Sequence, residues 1–373
     1  MNRYYNPVRI MEGPGILNHL PQVLEDMNLP QKKVLLLCWC QEVLAHPALT
    51  SLDNCGFSVA QQIFTASNPT VEQLYETWEA TRDFAPDAVV AVGGGSVLDV
   101  GKSLCCLYGR EFANVDMLRE TITAGNLIPT ARWVGVPTTA GTGSEVTCWA
   151  TVWDPTQDKK RSLECQANYA YAALVDSELT QNMPVKLAIS SALDACAHAV
   201  ESYWANHTNA VSRGLALEAI STVMGNIEGL LDNKPAAHEA MARGSLLAGM
   251  AFSNTKTTAC HSISYPLTMH YGIPHGVAVA LLLGPVLELN APATPDLNRL
   301  LAALNVEDGK SLRNHVTELF EKSGLPATLQ GWGVPADKLS HLAALGMTKG
   351  RADNNPVALD KTTIENILHS IYD

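Results

Sequence analysis

Hydrophobic and polar positions along the 373-residue chain follow two regimes that meet near residue 180. In the first, short apolar runs alternate with stretches whose apolar residues recur at helical spacing. Val8-Arg9-Ile10-Met11 reads as an opening strand stopped by Gly13-Pro14-Gly15, and a helix is expected through Leu17, Leu20 and Leu24. Val34-Leu35-Leu36-Leu37 is continuously apolar after Lys32-Lys33, as in a strand buried on both faces. Another helix and a strand from Phe57 to Phe64 follow. Ser67-Asn68-Pro69-Thr70 then turns the chain into a helix carrying Val71, Leu74 and Trp78. Ala88-Val89-Val90-Ala91-Val92 is the clearest strand. It runs into Gly93-Gly94-Gly95-Ser96 and a helix through Val97, Leu98, Val100 and Gly101. Val134-Gly135-Val136 and Ala172-Ala173-Leu174-Val175-Asp176 supply two further strands. Such alternation predicts a parallel sheet with helices on its faces.

From about Thr180 the pattern changes to Ala- and Leu-rich segments, broken mainly at Asp232-Asn233-Lys234-Pro235, Gly272-Ile273-Pro274 and residues 292–295. No strand series appears there. The expected architecture is α/β plus all-α, with an N-terminal Rossmann-like dinucleotide-binding domain at 1–178 and a C-terminal all-helical domain at 179–373. A charged loop, Lys349 to Asn355, precedes a last helix and receives no role.

Composition narrows the partners. A formal charge of −12 argues against nucleic acid and anionic membranes. The sequence lacks an uninterrupted apolar run of about 18 residues, so no membrane span is expected. Met1-Asn2-Arg3-Tyr4-Tyr5 lacks a signal-peptide core. Nine scattered cysteines without a CxxC pair read as reduced thiols of a cytoplasmic protein.

Candidate chemistry sits at three places. The glycines at 93–95 remove the Cβ atoms that would hold a ligand off the backbone, and the following helix start offers N–H groups to a phosphate. An ordinary tight strand–helix turn has the same appearance. Pro137-Thr138-Thr139-Ala140-Gly141-Thr142-Gly143-Ser144-Glu145 follows another strand and suits a nucleotide or, equally, a structural loop. Asp194 and His198 lie four apart on one helix face, whereas Cys196 points away from them. A carboxylate and an imidazole so placed can hold two corners of a divalent cation. His261 and His275 are further imidazoles in apolar surroundings, and each taken singly reads as a core histidine satisfied by a carbonyl.

Together these residues resemble the iron-dependent (group III) alcohol dehydrogenase family over almost the whole chain. The resemblance implies Fe2+, with Zn2+ as the alternative, held by Asp194, His198, His261 and His275, which would carry catalysis. It implies NAD(H) or NADP(H) with Gly94, Gly95 and Ser96 at the pyrophosphate. Thr138, Thr139 and Thr142 would line the nucleotide, with Trp39, Asn68, Asp99 and Lys160 as further cofactor contacts. Lys160 also reads as a solvated charge within Asp158-Lys159-Lys160-Arg161. The implied reaction is direct hydride transfer between nicotinamide and a small aldehyde or alcohol at the metal, in a cleft between the domains of a homodimeric enzyme. Two rival readings stay open: a dehydroquinate-synthase-like metal- and NAD-dependent lyase, and a non-catalytic metal- or nucleotide-binding relative.

Two departures from the family pattern matter. Trp39 stands where NAD-preferring members commonly have an Asp that repels a 2′-phosphate, so NADPH should serve as well as NADH. Tyr265 replaces a histidine common in lactaldehyde-reducing members. The segment Thr255 to Thr268 looks more like the phosphonoacetaldehyde reductase branch, which points to phosphonate metabolism and an anionic aldehyde. Thr147, Thr151, Phe252, Lys256 and Tyr265 are the substrate candidates. Lys256, helped by Thr257 or Thr258, would reach the anion only from a loop or helix start. On a continuous helix it would face roughly 140° away from His261.

Overall fold

The computed structural model describes residues 3–157 and 159–373. Met1, Asn2 and Asp158, which belong to the N-terminal stretch and the charged run read above, lie outside the described residues. The chain forms two compact units. One comprises Asn6–Thr139 with Ser144–Thr180; the other comprises Gln181–Asp373 with Ala140–Gly143 and the N-terminal residues through Tyr5. The division thus falls two residues beyond the expected 178/179, and two short pieces of the first half pack with the helices. Tyr4 shows why, since its hydroxyl donates to the Met250 carbonyl at 3.3 Å.

In the first unit the strands are β1 (Arg9–Glu12), β2 (Lys33–Cys38), β3 (Ser58–Ile63), β4 (Ala88–Gly93), β5 (Arg132–Pro137), β6 (Trp149–Asp154), β7 (Lys159–Glu164) and β8 (Ala172–Val175). Six of them make a parallel sheet in the order β1-β8-β5-β4-β2-β3. Its helices are α1 (Leu20–Asp26), α2 (Pro47–Thr50), α3 (Val71–Thr81), α4 (Gly95–Leu107) and α5 (Val115–Ala124). Side chains alternate across the sheet, and the core splits accordingly. Leu35, Leu37, Val89 and Ala91 join one apolar cluster, while Val34, Leu36, Val90 and Val92 join another. Both faces are therefore covered, which is why these strands read as unbroken apolar runs.

The order also locates the crevice. From β2 the chain moves outward to β3, then returns past β2 to β4 and continues the other way to β5. The carboxyl ends of β2 and β4 flank this switch, the usual ligand position in an open parallel sheet. Trp39 follows β2 and the glycine turn follows β4; the Trp39 N–H donates to the Val92 carbonyl at 3.1 Å.

Two elements were absent from the sequence reading. Helix α5 starts at Asn114, whose side chain accepts from the Met117 N–H. The antiparallel hairpin β6–β7 contains the Lys159-Lys160-Arg161 run. Its charge is tolerated because fully buried Asp154 accepts from Arg119 Nε at 3.0 Å and Arg161 Nε at 2.7 Å. A long-range ion network, invisible to local periodicity, makes this stretch a strand.

The second unit is helical throughout its described residues beyond 180: α6 (Val185–Trp204), α7 (Ala210–Met224), α8 (Pro235–Thr255), α9 (Ala259–Tyr271), α10 (His275–Asn290), α11 (Leu297–Leu304), α12 (Gly309–Ser323), α13 (Leu339–Leu345) and α14 (Lys361–Ser370). Helix α10 and the turn after it, His275–Ala293, are long and apolar enough to cross a membrane by composition. Here α10 is a core helix, with Val277 through Leu283 buried. Helix α8 ends before Lys256, which caps it at φ 61° and ψ 177°. Lys256 therefore lies in the α8–α9 turn, not on a helix continuous with His261.

Glycine permits the closest approach. A Cβ at Gly276, in the first turn of α10, would overlap the Ser190 carbonyl oxygen of α6 and sit 3.2 Å from the Asp194 Cβ. Gly276→Ala is expected to lower stability by about 1–3 kcal/mol through overpacking, read as a lower urea midpoint. An unchanged midpoint would mean that α10 can move aside at no cost.

Candidate functional site

Helix α6 has no internal Gly or Pro, and its residues from Ala192 to Trp204 are all buried. Asp194, His198 and Glu201 recur along it at helical spacing and so share one stripe. Helix α9 brings His261 to that stripe and the start of α10 brings His275. Asp194 Oδ1 lies 3.5 Å from His261 Nε2 and 4.0 Å from His275 Nε2. One ligand atom from each of Asp194, His261 and His275 falls within 4.8 Å of the others.

His198 stands beside this trio. Its ring stacks on His261 at 4.3 Å and on Phe252 at 4.2 Å. Its Nδ1 lies 3.3 Å from the Gly141 carbonyl and 3.9 Å from Asp194 Oδ2. A donor hydrogen on Nδ1 toward that carbonyl leaves Nε2 as the ligating nitrogen, the usual arrangement for a metal-bound imidazole. Three of the four expected ligands are thus gathered directly, and the fourth flanks them.

The trio fits a divalent cation. Asp194 Oδ1 and His261 Nε2 are buried and have no hydrogen-bond partner among the described residues, a costly state for facing polar atoms unless an ion completes them. One carboxylate with imidazoles and no thiolate suits Fe2+ or Zn2+. Burial alone would raise the Asp194 carboxyl, but the neighbouring imidazoles outweigh it and hold it well below the usual carboxylate range. Burial pulls His198 down to about 4 against the attraction of Asp194, so its ring is neutral near pH 7 and keeps a lone pair for metal.

Sequence reasoning missed Glu201. It is fully buried and accepts from Thr258 Oγ1 at 2.9 Å, from the Cys260 N–H at 2.7 Å, and from His261 Nδ1. Burial lowers the His261 imidazolium and raises the Glu201 carboxyl. Their mutual attraction overrides both, raising His261 and lowering Glu201. A carboxylate behind a ligand imidazole fixes its tautomer and strengthens it as a donor. The available signal was a second acid in the apolar helix, three residues after His198. Thr258, offered above as a substrate hydroxyl, is instead held between Trp204 Nε1 and Glu201.

Among the expected cofactor residues, Gly94 caps α4, and a Cβ there would come within 3.3 Å of Thr139. Gly95 and Ser96 form the first turn of α4, and Ser96 Oγ accepts from the Asn68 N–H at 3.1 Å. The Thr138 N–H donates to the Gly93 carbonyl at 3.0 Å. These groups surround the end of β4, with Trp39 47% exposed at the end of β2. Asp99 has internal partners: it accepts from Ser144 Oγ at 2.6 Å and the Thr151 N–H at 2.8 Å, with Lys102 Nζ 3.4 Å away. Lys160 on β7 lies 5.6 Å over the Trp153 ring. Thr142 belongs to the helical unit with Ala140, Gly141 and Gly143.

The substrate candidates separate. Phe252 covers His198, and the Tyr265 ring lies 5.8 Å from that of His275 at an interplanar angle of 16°. Thr147 is buried, and its hydroxyl accepts from Lys102 Nζ at 2.8 Å. Thr151 sits on β6, where its backbone holds Asp99.

A doubly covered parallel sheet with a glycine-rich turn at its switch point, and a helical unit gathering a carboxylate and imidazoles, define a metal-dependent dinucleotide oxidoreductase. The sequence pattern of iron-containing alcohol dehydrogenases matches residues 7–177, and that of the C-terminal part of the Fe-containing alcohol dehydrogenase family matches 188–372. The chain belongs to the iron-containing alcohol dehydrogenase family. It is 29% identical to an NADPH-dependent butanol dehydrogenase of Clostridium saccharobutylicum over 100% of this chain and 98% of that one. It is 31% identical to a phosphonoacetaldehyde reductase of Streptomyces viridochromogenes, covering 77% of this chain and 76% of the relative. A sulfoacetaldehyde reductase from Bifidobacterium kashiwanohense, solved with NAD+, superposes with a TM-score of 0.88 at 25% identity over 100% of this chain and 98% of that one. Family membership sets aside the lyase and non-catalytic readings.

Glu201→Gln keeps the shape of the side chain and removes its charge. Iron affinity, measured by competition with a chelator, is expected to fall about 10- to 100-fold, as for other carboxylates behind metal-bound imidazoles. Wild-type affinity would show that the His261 contact does not tune the ligand.

Proposed function

We propose that this enzyme reduces short aldehydes, anionic ones included, with NADH or NADPH, using iron held by Asp194, His198, His261 and His275. The observation that carries the reading is the convergence of Asp194, His261 and His275 within 4.8 Å, with Asp194 Oδ1 and His261 Nε2 buried and lacking hydrogen-bond partners among the described residues. When bound, the ion supplies Lewis-acid polarisation of a carbonyl oxygen and the nicotinamide supplies the hydride.

The chain's own residues do the rest. Asp194 brings the negative charge that anchors a cation, and neutral His198 brings a lone pair. Glu201 holds the Nδ1 hydrogen of His261, so its Nε2 faces inward. Phe252 and Tyr265, both buried, pack on His198 and His275 and keep water from the ligand rings. Thr139 and the glycine turn let a dinucleotide approach the backbone, and the start of α4 offers N–H groups to its pyrophosphate. The names of the phosphonoacetaldehyde and sulfoacetaldehyde reductases support anionic aldehydes as substrates here.

His275→Ala is expected to leave the purified protein with less than a tenth of the wild-type iron and no measurable aldehyde reduction. Full iron content and turnover would overturn the ligand assignment. At the other site, Trp39 carries no charge to repel a 2′-phosphate, so wild-type kcat/KM with NADPH and NADH should agree within tenfold. Trp39→Asp should shift that ratio at least tenfold toward NADH, about 1.4 kcal/mol. An unshifted ratio would remove the end of β2 from the ribose site.

A further inference from the structure

We infer that Arg351 is the group that recognises the anionic end of the substrate, so that the preferred substrates are short aldehydes bearing a phosphonate or sulfonate. This rests on the aldehyde-reductase reading above.

Arg351 lies in the charged loop that received no role from the sequence. Four hydrogen bonds fix the loop. The Thr348 N–H donates to Ser262 Oγ at 2.8 Å, and Ser262 Oγ donates to the Gly346 carbonyl at 2.6 Å. Asn354 Nδ2 donates to the carbonyls of Thr255 at 2.8 Å and Thr257 at 3.1 Å, bracketing Lys256. The loop is thereby tied to α9 and to the α8–α9 turn.

So held, Arg351 sets its guanidinium carbon 5.5 Å from the centroid of the Tyr265 ring. Tyr265 also neighbours the imidazole of His275, 5.8 Å away between centroids. Tyr265 is thus the shared neighbour of a cation and of the His275 imidazole assigned above to the metal. Among the described residues, the buried Arg351 Nε has no hydrogen-bond partner. A half-buried guanidinium with an unused donor is costly by itself. In a protein of net charge −12 it is also a local exception. Its donor fork matches a phosphonate or sulfonate, whose several oxygens can accept paired N–H groups. The Lys256 turn, which departs from helical geometry at φ 61°, brings a second basic residue to the neighbouring segment.

Simple packing of Arg351 on Tyr265 is the competing account, and charge selectivity separates the two. The iron-loaded enzyme and its Arg351→Ala, Arg351→Gln and Arg351→Lys variants would be compared on phosphonoacetaldehyde and on propanal, a neutral aldehyde of similar length. Ethylphosphonate, which cannot be reduced, would be titrated calorimetrically into each protein. The wild type should favour phosphonoacetaldehyde more than tenfold in kcat/KM. Ala and Gln should each lower that preference at least tenfold and weaken ethylphosphonate at least tenfold, with Lys recovering part of both. Equal losses on the two aldehydes, or a smaller change in preference and binding, would overturn the inference. If the wild type reduces propanal without favouring the phosphonate, this inference fails while the reductase reading stands. If the iron-loaded protein reduces neither aldehyde, the reductase reading fails; Arg351-dependent ethylphosphonate binding would then still support the anion site, and its absence would overturn that as well.

Discussion

The buried pairing of Glu201 with His261 is the constraint on which the helical unit turns. Two carboxylates, Asp194 and Glu201, are enclosed within two turns of one helix, and desolvating each costs several kcal/mol. Glu201 offsets its share by taking hydrogen bonds from the entry to α9. The same bonds place His261 opposite Asp194. Asp194 finds its compensation in imidazoles drawn from three helices, and a divalent cation would complete it. A metal bound there would add its binding free energy to the stability of this unit.

A second constraint governs the α/β unit, where backbone must come close to a ligand and to its own helices. At the end of β4, Gly94 leaves room beside Thr139. Within α4, a Cβ at Gly101 would lie 2.8 Å from that of Ala91, so glycine seats the helix on the sheet. Asp99 and Lys102, on the same helix, tie it to the residues around Ser144, Thr147 and Trp149. The start of α4 is thus held from both sides, which suits a fixed pyrophosphate cradle.

The parallel sheet was legible in the chain because each central strand is apolar on both faces, and the helical half because strand patterns stop near Thr180. The metal residues were legible chiefly through family resemblance; spacing alone reached only Asp194 and His198. What escaped notice shares one physical property. Strand β7 depends on Asp154 and Arg119 beyond its own segment, Glu201 on the α9 entry some 60 residues on, and Arg351 on Tyr265 within α9. Their roles come from contacts between distant positions, which local periodicity does not encode. Lys256 shows the converse: its helix ends one residue too early for the continuous-helix geometry that counted against it.

Anomalous X-ray scattering at the iron edge, on crystals of the iron-loaded protein, tests the central claim most directly. The account predicts one strong peak bonded by a carboxylate oxygen of Asp194, Nε2 of His198 and His261, and a ring nitrogen of His275, with His261 Nδ1 still hydrogen-bonded to Glu201. A peak elsewhere, or one at which His261 has turned away from Glu201, would contradict it.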